Sequence, residues 1–503
     1  MEPQPRDRPV YTPEELPRHF PGAKVLRLRR PRKMVGLARA VGVPALFSTA
    51  YGNVGSSIYY ALGVTAASAL GLTPVVFMFA GLLFACTALS YAEATAAIPE
   101  AGGSSSFARK SLNEGWSFLA GWALMLDYII TIAISALFVP HYLGAFWPSL
   151  LHPPGNVIGG IIVVAILVWL NVRGIRESGL VNVSLAVIDL ITQAVLVGAG
   201  FWLLLSWQTL ISNVRWGEAP TWHQLLYGVS IAMVAYTGIE TVSNMAEEAR
   251  APERSVPRAI SLVFVAVLVI YAGISLTALS AMPVVHSAEA GWTTELSTRY
   301  LGDPVLGIAA KLPVPVLRDF FRPWIGILAA TILFIGTNAG IIGVSRLAYS
   351  MGLYQQLPPF LSRVHPRYRT PYRPIILFGA VAAILILPGH IELLADLYSF
   401  GAMLAFSLAH VSVIAMRIRQ PDLPRPFKIP LNIKIRDREI PVTAVVGLLG
   451  TFSTWLVVVV THPWGRTIGF AWLAVGWFMY AVYRRAVGLP LMRTAGRGRH
   501  EAR

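Results

Sequence analysis

The chain is a succession of apolar runs, each about long enough to cross a bilayer, and this narrows what it can become. Backbone N–H and C=O groups in hydrocarbon have no water to bond, so a spanning segment must be a helix or part of a closed barrel. Runs of about 20 residues suit helices. Twelve occur, near 41–69, 72–97, 115–145, 156–173, 179–206, 222–246, 257–282, 323–349, 372–388, 391–416, 442–461 and 465–484. The ninth is short, and only Pro388-Gly389-His390 separates it from the tenth. With 55% hydrophobic and 13% charged residues and a mean hydropathy of +0.60, the composition fits a polytopic membrane protein rather than a soluble domain.

A net charge of +16 suggests nucleic acid until the charges are placed. With twelve spans and the N-terminus inside, 35 of the 41 Lys and Arg fall on inside segments. Outside lie only Arg215, Arg299, Lys311, Arg318, Arg322 and Arg466. This positive-inside bias predicts that both termini are cytoplasmic, and it argues against nucleic acid as a partner. Residues 1–40 have no apolar signal core, so no cleavage is expected. Their basic run from Lys24 to Arg39 sets topology, with docking on anionic lipid headgroups as the alternative. Cys86 is the only cysteine, which rules out an intramolecular disulfide.

Two spans are interrupted near their centres. The first carries Gly52-Asn53-Val54-Gly55-Ser56-Ser57 and the sixth Ala235-Tyr236-Thr237-Gly238-Ile239-Glu240. Broken spans at corresponding places in two halves point to a transporter's substrate site. In the first, Gly, Asn and Ser loosen the helix and present N–H groups suited to a carboxylate; close helix packing is the competing reading of such residues. An odd number of spans per half (1–5 and 6–10) inverts the second half, leaving spans 11 and 12 as additions. The predicted fold is therefore all-α: twelve transmembrane helices in a five-plus-five inverted repeat with helices 1 and 6 broken. The basic tail covers 1–40, the core 41–416 (repeats 41–207 and 222–416), the last two helices 417–485 and a tail 486–503. The outer segment 283–322 is expected to hold a short helix, and Pro99 to Ser106 a cytoplasmic turn or short re-entrant piece.

Asp127, Asp189 and Glu240 lie well inside spans, and Glu93 toward the inner end of span 2, with no Lys or Arg seen at comparable depth. A buried carboxylate without a fixed cation must be protonated, hydrogen-bonded, or met by a mobile cation. That interior disfavours a free anion as cargo and suits a zwitterion or cation. Asp189 reads as a proton- or ion-coupling carboxylate, Asp127 as a structural anchor, Glu93 as an interfacial acid or cytoplasmic gate, and Glu240 as either a brace for the break or a cation contact. Tyr236 packs or closes over substrate. Glu247 and Glu248 are expected to pair with Arg250, Arg254 and Arg258, and His141 to be a satisfied structural histidine.

The string AYTGIETVSNMAEEARAPERSVPRAI from Ala235 to Ile260 resembles the sixth-helix signature of the amino acid–polyamine–organocation superfamily. Tyr91-Ala92-Glu93, Leu126-Asp127-Tyr128, Thr337-Asn338-Ala339 and the segment Pro421 to Phe427 fit the same pattern. The resemblance implies alternating access. It implies that Gly52, Asn53, Val54, Gly55 and Ser56 bind a substrate carboxylate, while Tyr236, Thr237, Gly238 and Ile239 receive its amino group and line the side-chain pocket. Similar proton-coupled members carry a span-5 lysine where this chain has Asp189, so lysine-type coupling does not carry over. The expectation is a secondary transporter of amino acids or organic amines, without a cofactor, coupled to a proton or sodium ion or working by exchange. A potassium-type carrier and a non-transporting nutrient sensor are the alternatives; no enzymatic residue cluster is seen.

Overall fold

The computed structural model describes residues 41–174, 179–288, 291–435 and 438–492; the basic tail 1–40 and its lipid-docking reading lie outside them. The chain is helical almost throughout. It begins with α1 (Val43–Ser56), α2 (Ile58–Ala69), α3 (Thr73–Ala97), α4 (Ser104–Ser111), α5 (Glu114–Leu143), α6 (Gly155–Arg173), α7 (Gly179–Leu203) and α8 (Trp207–Ser212). It continues with α9 (Trp222–Ala232), α10 (Glu240–Asn244), α11 (Pro252–Ala281), α12 (Pro304–Ala310), α13 (Pro315–Leu353), α14 (Tyr372–Ile386), α15 (Ile391–Arg419), α16 (Val442–Thr461) and α17 (Pro463–Ala486). Two antiparallel hairpins, β1 (Val285–Ser287) with β2 (Gly291–Thr293) and β3 (Asn432–Ile435) with β4 (Arg438–Pro441), sit in the connections.

Each apolar run falls on helix. Among the described residues nine helical stretches are long and apolar enough to cross a membrane, the first of them, Val43–Ala97, holding two of the expected spans. The chain is an integral membrane protein. Proline at the first turn starts α3, α11, α13 and α17, where its missing N–H costs nothing. Asn113 caps α5 through the Trp116 N–H, and Thr221 with Gln224 forms a reciprocal cap on α9.

Burial separates centre from rim. The apolar window of α5 is 100% buried, whereas those of α6 and α16 are 28% buried and turn the rest outward. Four helix pairs pack antiparallel. Phe77 and Phe84 of α3 meet Tyr271 and Phe264 of α11, and Tyr128 and Tyr142 of α5 meet Gly343 and Gly326 of α13. Val168 of α6 meets Gly379 of α14, with Val157 against Gly389 beyond it. Ala69 of α2 meets Gly228 of α9, while Asn53 of α1 reaches Thr241 of α10. Trp122 and Trp472 stack at 4.4 Å and exchange indole-to-carbonyl hydrogen bonds, which docks α17 on α5.

The segment 283–322 does hold a helix, α12, together with the β1–β2 hairpin, and α13 starts earlier than expected, at Pro315. Burial pushes the Asp303 carboxyl, just before α12, up to about 6 against the pull of Arg322 and Arg299. The folded state thus holds this proton more tightly than an unfolded chain (ordinary value about 3.9), so stability falls as pH rises between about 4 and about 6. Equilibrium unfolding in mixed micelles should show a loss of about 3 kcal/mol above that window. Asp303→Asn should abolish it; an unchanged pH profile in that variant refutes the assignment.

Candidate functional site

The first interruption is smaller than the sequence suggests. Helix α1 runs unbroken through Gly52 and Gly55, and only Ser57 falls between α1 and α2. These glycines serve close approach: a Cβ on Gly52 would lie 2.8 Å from Ile335 Cγ2, and one on Gly55 3.0 Å from the Tyr51 ring. Hydroxyls tie down the carbonyls at the break: Ser56 donates to Asn53 O at 2.8 Å, and Tyr271 donates to Val54 O. In the first turn of α2 the Ile58 N–H faces the Tyr271 hydroxyl, and the Tyr59 N–H has no backbone acceptor among the described hydrogen bonds.

The second interruption is larger. After α9 a 3-10 turn, Met233–Tyr236, leads to extended Thr237 and then to Gly238 at φ +119 before α10 begins. Glycine is needed here twice, for that φ and because a Cβ would lie 2.8 Å from Asn53 Cγ and 2.9 Å from Val54 N. The two breaks are thus in contact, and Asn53 Nδ2 donates to Thr241 Oγ1 at 2.9 Å. Gly238→Ala is expected to cost at least about 1–3 kcal/mol and to lower the thermal stability of the solubilised protein; an unchanged melting profile would show that the breaks do not pack this closely.

Around this junction Asp127, Glu240, Asn53 and Thr237 are all at most 1% exposed. Glu240 Oε2 accepts the Gly238 N–H at 3.1 Å, while its Oε1 and both oxygens of Asp127 have no donor among the described residues. The Asp127 and Glu240 carboxyl groups lie side by side, near enough for one to hydrogen-bond the other if it carries a proton. Hydroxyls complete the surroundings: Tyr398 O–H lies 2.7 Å from Thr131 Oγ1 and 2.5 Å from Thr237 Oγ1, and the Tyr91 hydroxyl is buried beside that of Ser104. Ile239 is wholly buried at the head of α10. Tyr236 is turned toward α3, where its O–H donates to Phe77 O at 2.8 Å and its ring packs on Phe84 and Tyr271.

Asp189 has a different setting. Its carboxylate accepts Tyr51 O–H at 2.9 Å, Tyr59 O–H at 2.6 Å and Gln193 Nε2–H at 2.6 Å. Tyr51 belongs to α1 and Tyr59 to α2, so Asp189 clasps the first span on both sides of its break. Three donors satisfy an ionised carboxylate without a fixed cation.

The interior is not acid-only, which corrects the sequence reading. Glu93 is 2% exposed and forms a two-pronged ion pair with Arg417 at 2.6 and 2.7 Å, with the Arg425 guanidinium at 3.6 Å. It is a buried partner of Arg417 in the last turn of α15 and of Arg425 in the segment that follows. The expected acid–base cluster after α10 also re-sorts. Glu248 pairs with Arg346 at 2.6 Å and Glu247 accepts the Ala101 N–H at 3.0 Å, so Arg254 and Arg258 have neither. His141 packs on Phe138 and Gly302, and its Nδ1 has no hydrogen bond among the described residues.

Sequence reasoning passed over a second polar network. His462, between α16 and α17, lies 2.6 Å from Asp396 Oδ1 and 2.6 Å from Ser230 Oγ, stacked on Tyr227, whose O–H donates to Asp396. It ties α9 to α15 and to the α16–α17 turn. An acid near the end of span 391–416 was the available signal.

Residues 41–483 match the family described as amino acid permease. The chain belongs to the amino acid permease family. Among relatives of this permease, the methylthioribose transporter of Bacillus subtilis (strain 168) is 27% identical over 454 residues, covering 86% of this chain and 90% of the relative. The branched-chain amino acid permease BcaP of the same organism is 26% identical over 460 residues, with the same coverage. The low-affinity putrescine importer PlaP of Escherichia coli (strain K12) is 26% identical over 364 residues, covering 71% and 76%. The permease thus sits in a family of membrane transporters of the amino acid–polyamine–organocation superfamily, and these relatives' names do not favour the potassium-carrier alternative.

Proposed function

We propose that this permease is a secondary active transporter that moves amino acids or related organic amines across the plasma membrane by alternating access. The observation that carries the reading is the meeting of the two breaks beside buried carboxyl oxygens that lack donors. In this reading the Tyr59 N–H, just past the break at Ser57, receives a substrate carboxylate, and the helical Gly52 to Ser56 stretch holds that break in place. Asp127, Glu240 and the Tyr236 to Ile239 break receive the ammonium end. Relatives named for a branched-chain amino acid and for putrescine lend support, since both cargoes carry an amino group.

The twelve-helix inverted repeat belongs to the same proposal. Its support is that helices five spans apart (α1–α2 with α9–α10, α3 with α11, α5 with α13, α6 with α14) pack antiparallel, as an in-plane pseudo-two-fold requires. The basic bias of the inside segments supports cytoplasmic termini. Asp189 is the coupling residue proposed here: a proton or sodium ion on its carboxylate competes with the Tyr51 and Tyr59 hydroxyls and loosens the clasp on the broken span.

Purified protein in liposomes loaded with an amino-acid and amine mixture should show counterflow of labelled solute. Binding without flux would overturn transport as the function. In the same vesicles Asp189→Asn should remove the dependence of uptake on pH or sodium; unchanged dependence would sink its coupling role.

A further inference from the structure

A groove of about 740 Å³ opens at the end of the bundle where α11 starts, away from the junction of the two breaks. Glu253, Arg254, Arg258 and Leu262 line it from α11, Val43 from the start of α1, and Phe427 from the segment after α15. Arg254, Arg258 and Leu262 are spaced by four residues, so they form one stripe on the helix. The stripe continues as Val265, 54% exposed, and Val269, 62% exposed, which turn to the outside of the bundle. Both arginines are exposed, and among the described residues neither has an ion pair, because Glu247 and Glu248 are engaged elsewhere.

We propose that this groove binds an anionic glycerophospholipid, with its phosphate between Arg254 and Arg258 and an acyl chain along Leu262, Val265 and Val269. Charge complementarity selects the headgroup: two guanidinium groups without an ion pair among the described residues outnumber the single carboxylate of Glu253, and guanidinium favours phosphate. The apolar continuation selects a lipid over a free anion, because one turn of about 5 Å carries the stripe from Arg258 to Leu262. A lipid seated here also touches Val43, at the foot of the first broken span.

The test is native mass spectrometry of the full-length protein in neutral detergent, titrated with phosphatidylglycerol or with phosphatidylcholine of the same chains. At about fivefold per arginine near a membrane surface, R254Q/R258Q should weaken the tightest phosphatidylglycerol binding by about 25-fold, with phosphatidylcholine binding unchanged. R254K/R258K should retain most of it, and Glu253→Gln should strengthen it. Equal phosphatidylglycerol binding by parent and R254Q/R258Q would overturn the proposal, as would no gain in Glu253→Gln. Inorganic phosphate displacing the lipid at comparable concentration would overturn it as well, by marking a small-anion site.

Discussion

Asp127→Asn is expected to lower counterflow of a labelled amino acid or amine by at least about thirtyfold while leaving the protein as stable as its parent or more so. The substitution keeps the side chain's shape and removes its charge. What it removes matters because Asp127 is wholly buried and no donor among the described residues reaches either oxygen. An anion so placed does little for the resting fold, and two carboxyl groups side by side repel unless a cation or proton lies between them. An arriving ammonium supplies that cation. Removing one partner of a buried charge contact costs about 2 kcal/mol or more, which is the thirtyfold expected.

An Asn amide could donate to Glu240 and relieve the repulsion, so a structural role and a binding role predict opposite stability signs. If Asp127 is an anchor, as its sequence context first suggested, Asp127→Asn destabilises and turnover falls only with the folded fraction. Glu240→Gln provides the control. Its amide oxygen can still accept the Gly238 N–H that Glu240 Oε2 accepts now, so a brace for the break survives while a cation contact is lost. Full exchange in both variants would remove the carboxyl pair from the substrate path.

How much of this was legible beforehand depends on whether the interaction is local. The helices were readable because lipid forces every backbone group into internal bonds and hydropathy records the result. The sixth-span break was readable because Gly238 takes a φ of +119 that few residues other than glycine adopt. The first break was overread: the Gly52 and Gly55 pattern suits a loosened helix and close packing equally, and here the glycines pack against Ile335 and Tyr51. Partners were the blind spot. Glu93 and Arg417 are 324 positions apart, and the arginine sits in the last turn of a span, where snorkelling to water is the ordinary expectation. Asp396 with His462 and Asp189 with Tyr51 and Tyr59 are likewise joined only by the packing of distant helices.

The Glu93 pair carries the second large effect. Glu93→Gln should destabilise the folded protein by about 3–5 kcal/mol in equilibrium unfolding, the usual result of stranding one member of a buried ion pair. The stranded member is Arg417, 3% exposed, left beside the Arg425 guanidinium and with only the half-exposed Glu439 carboxylate at 3.1 Å. The amide of Gln can still accept the Ile429 N–H that Glu93 now holds at 2.8 Å, so the loss reports the charge and not the backbone contact. Arg417→Met should cost less, because Arg425 remains 3.6 Å from Glu93. The double variant should be more stable than the two single losses added together, by about 2 kcal/mol, since neither charge is then stranded. A cytoplasmic gate would behave otherwise: if the pair opens during each transport cycle, breaking it should raise counterflow per folded molecule. Full stability in Glu93→Gln would mean that the Arg417 charge reaches water by another route and that the pair does not hold α3 to α15.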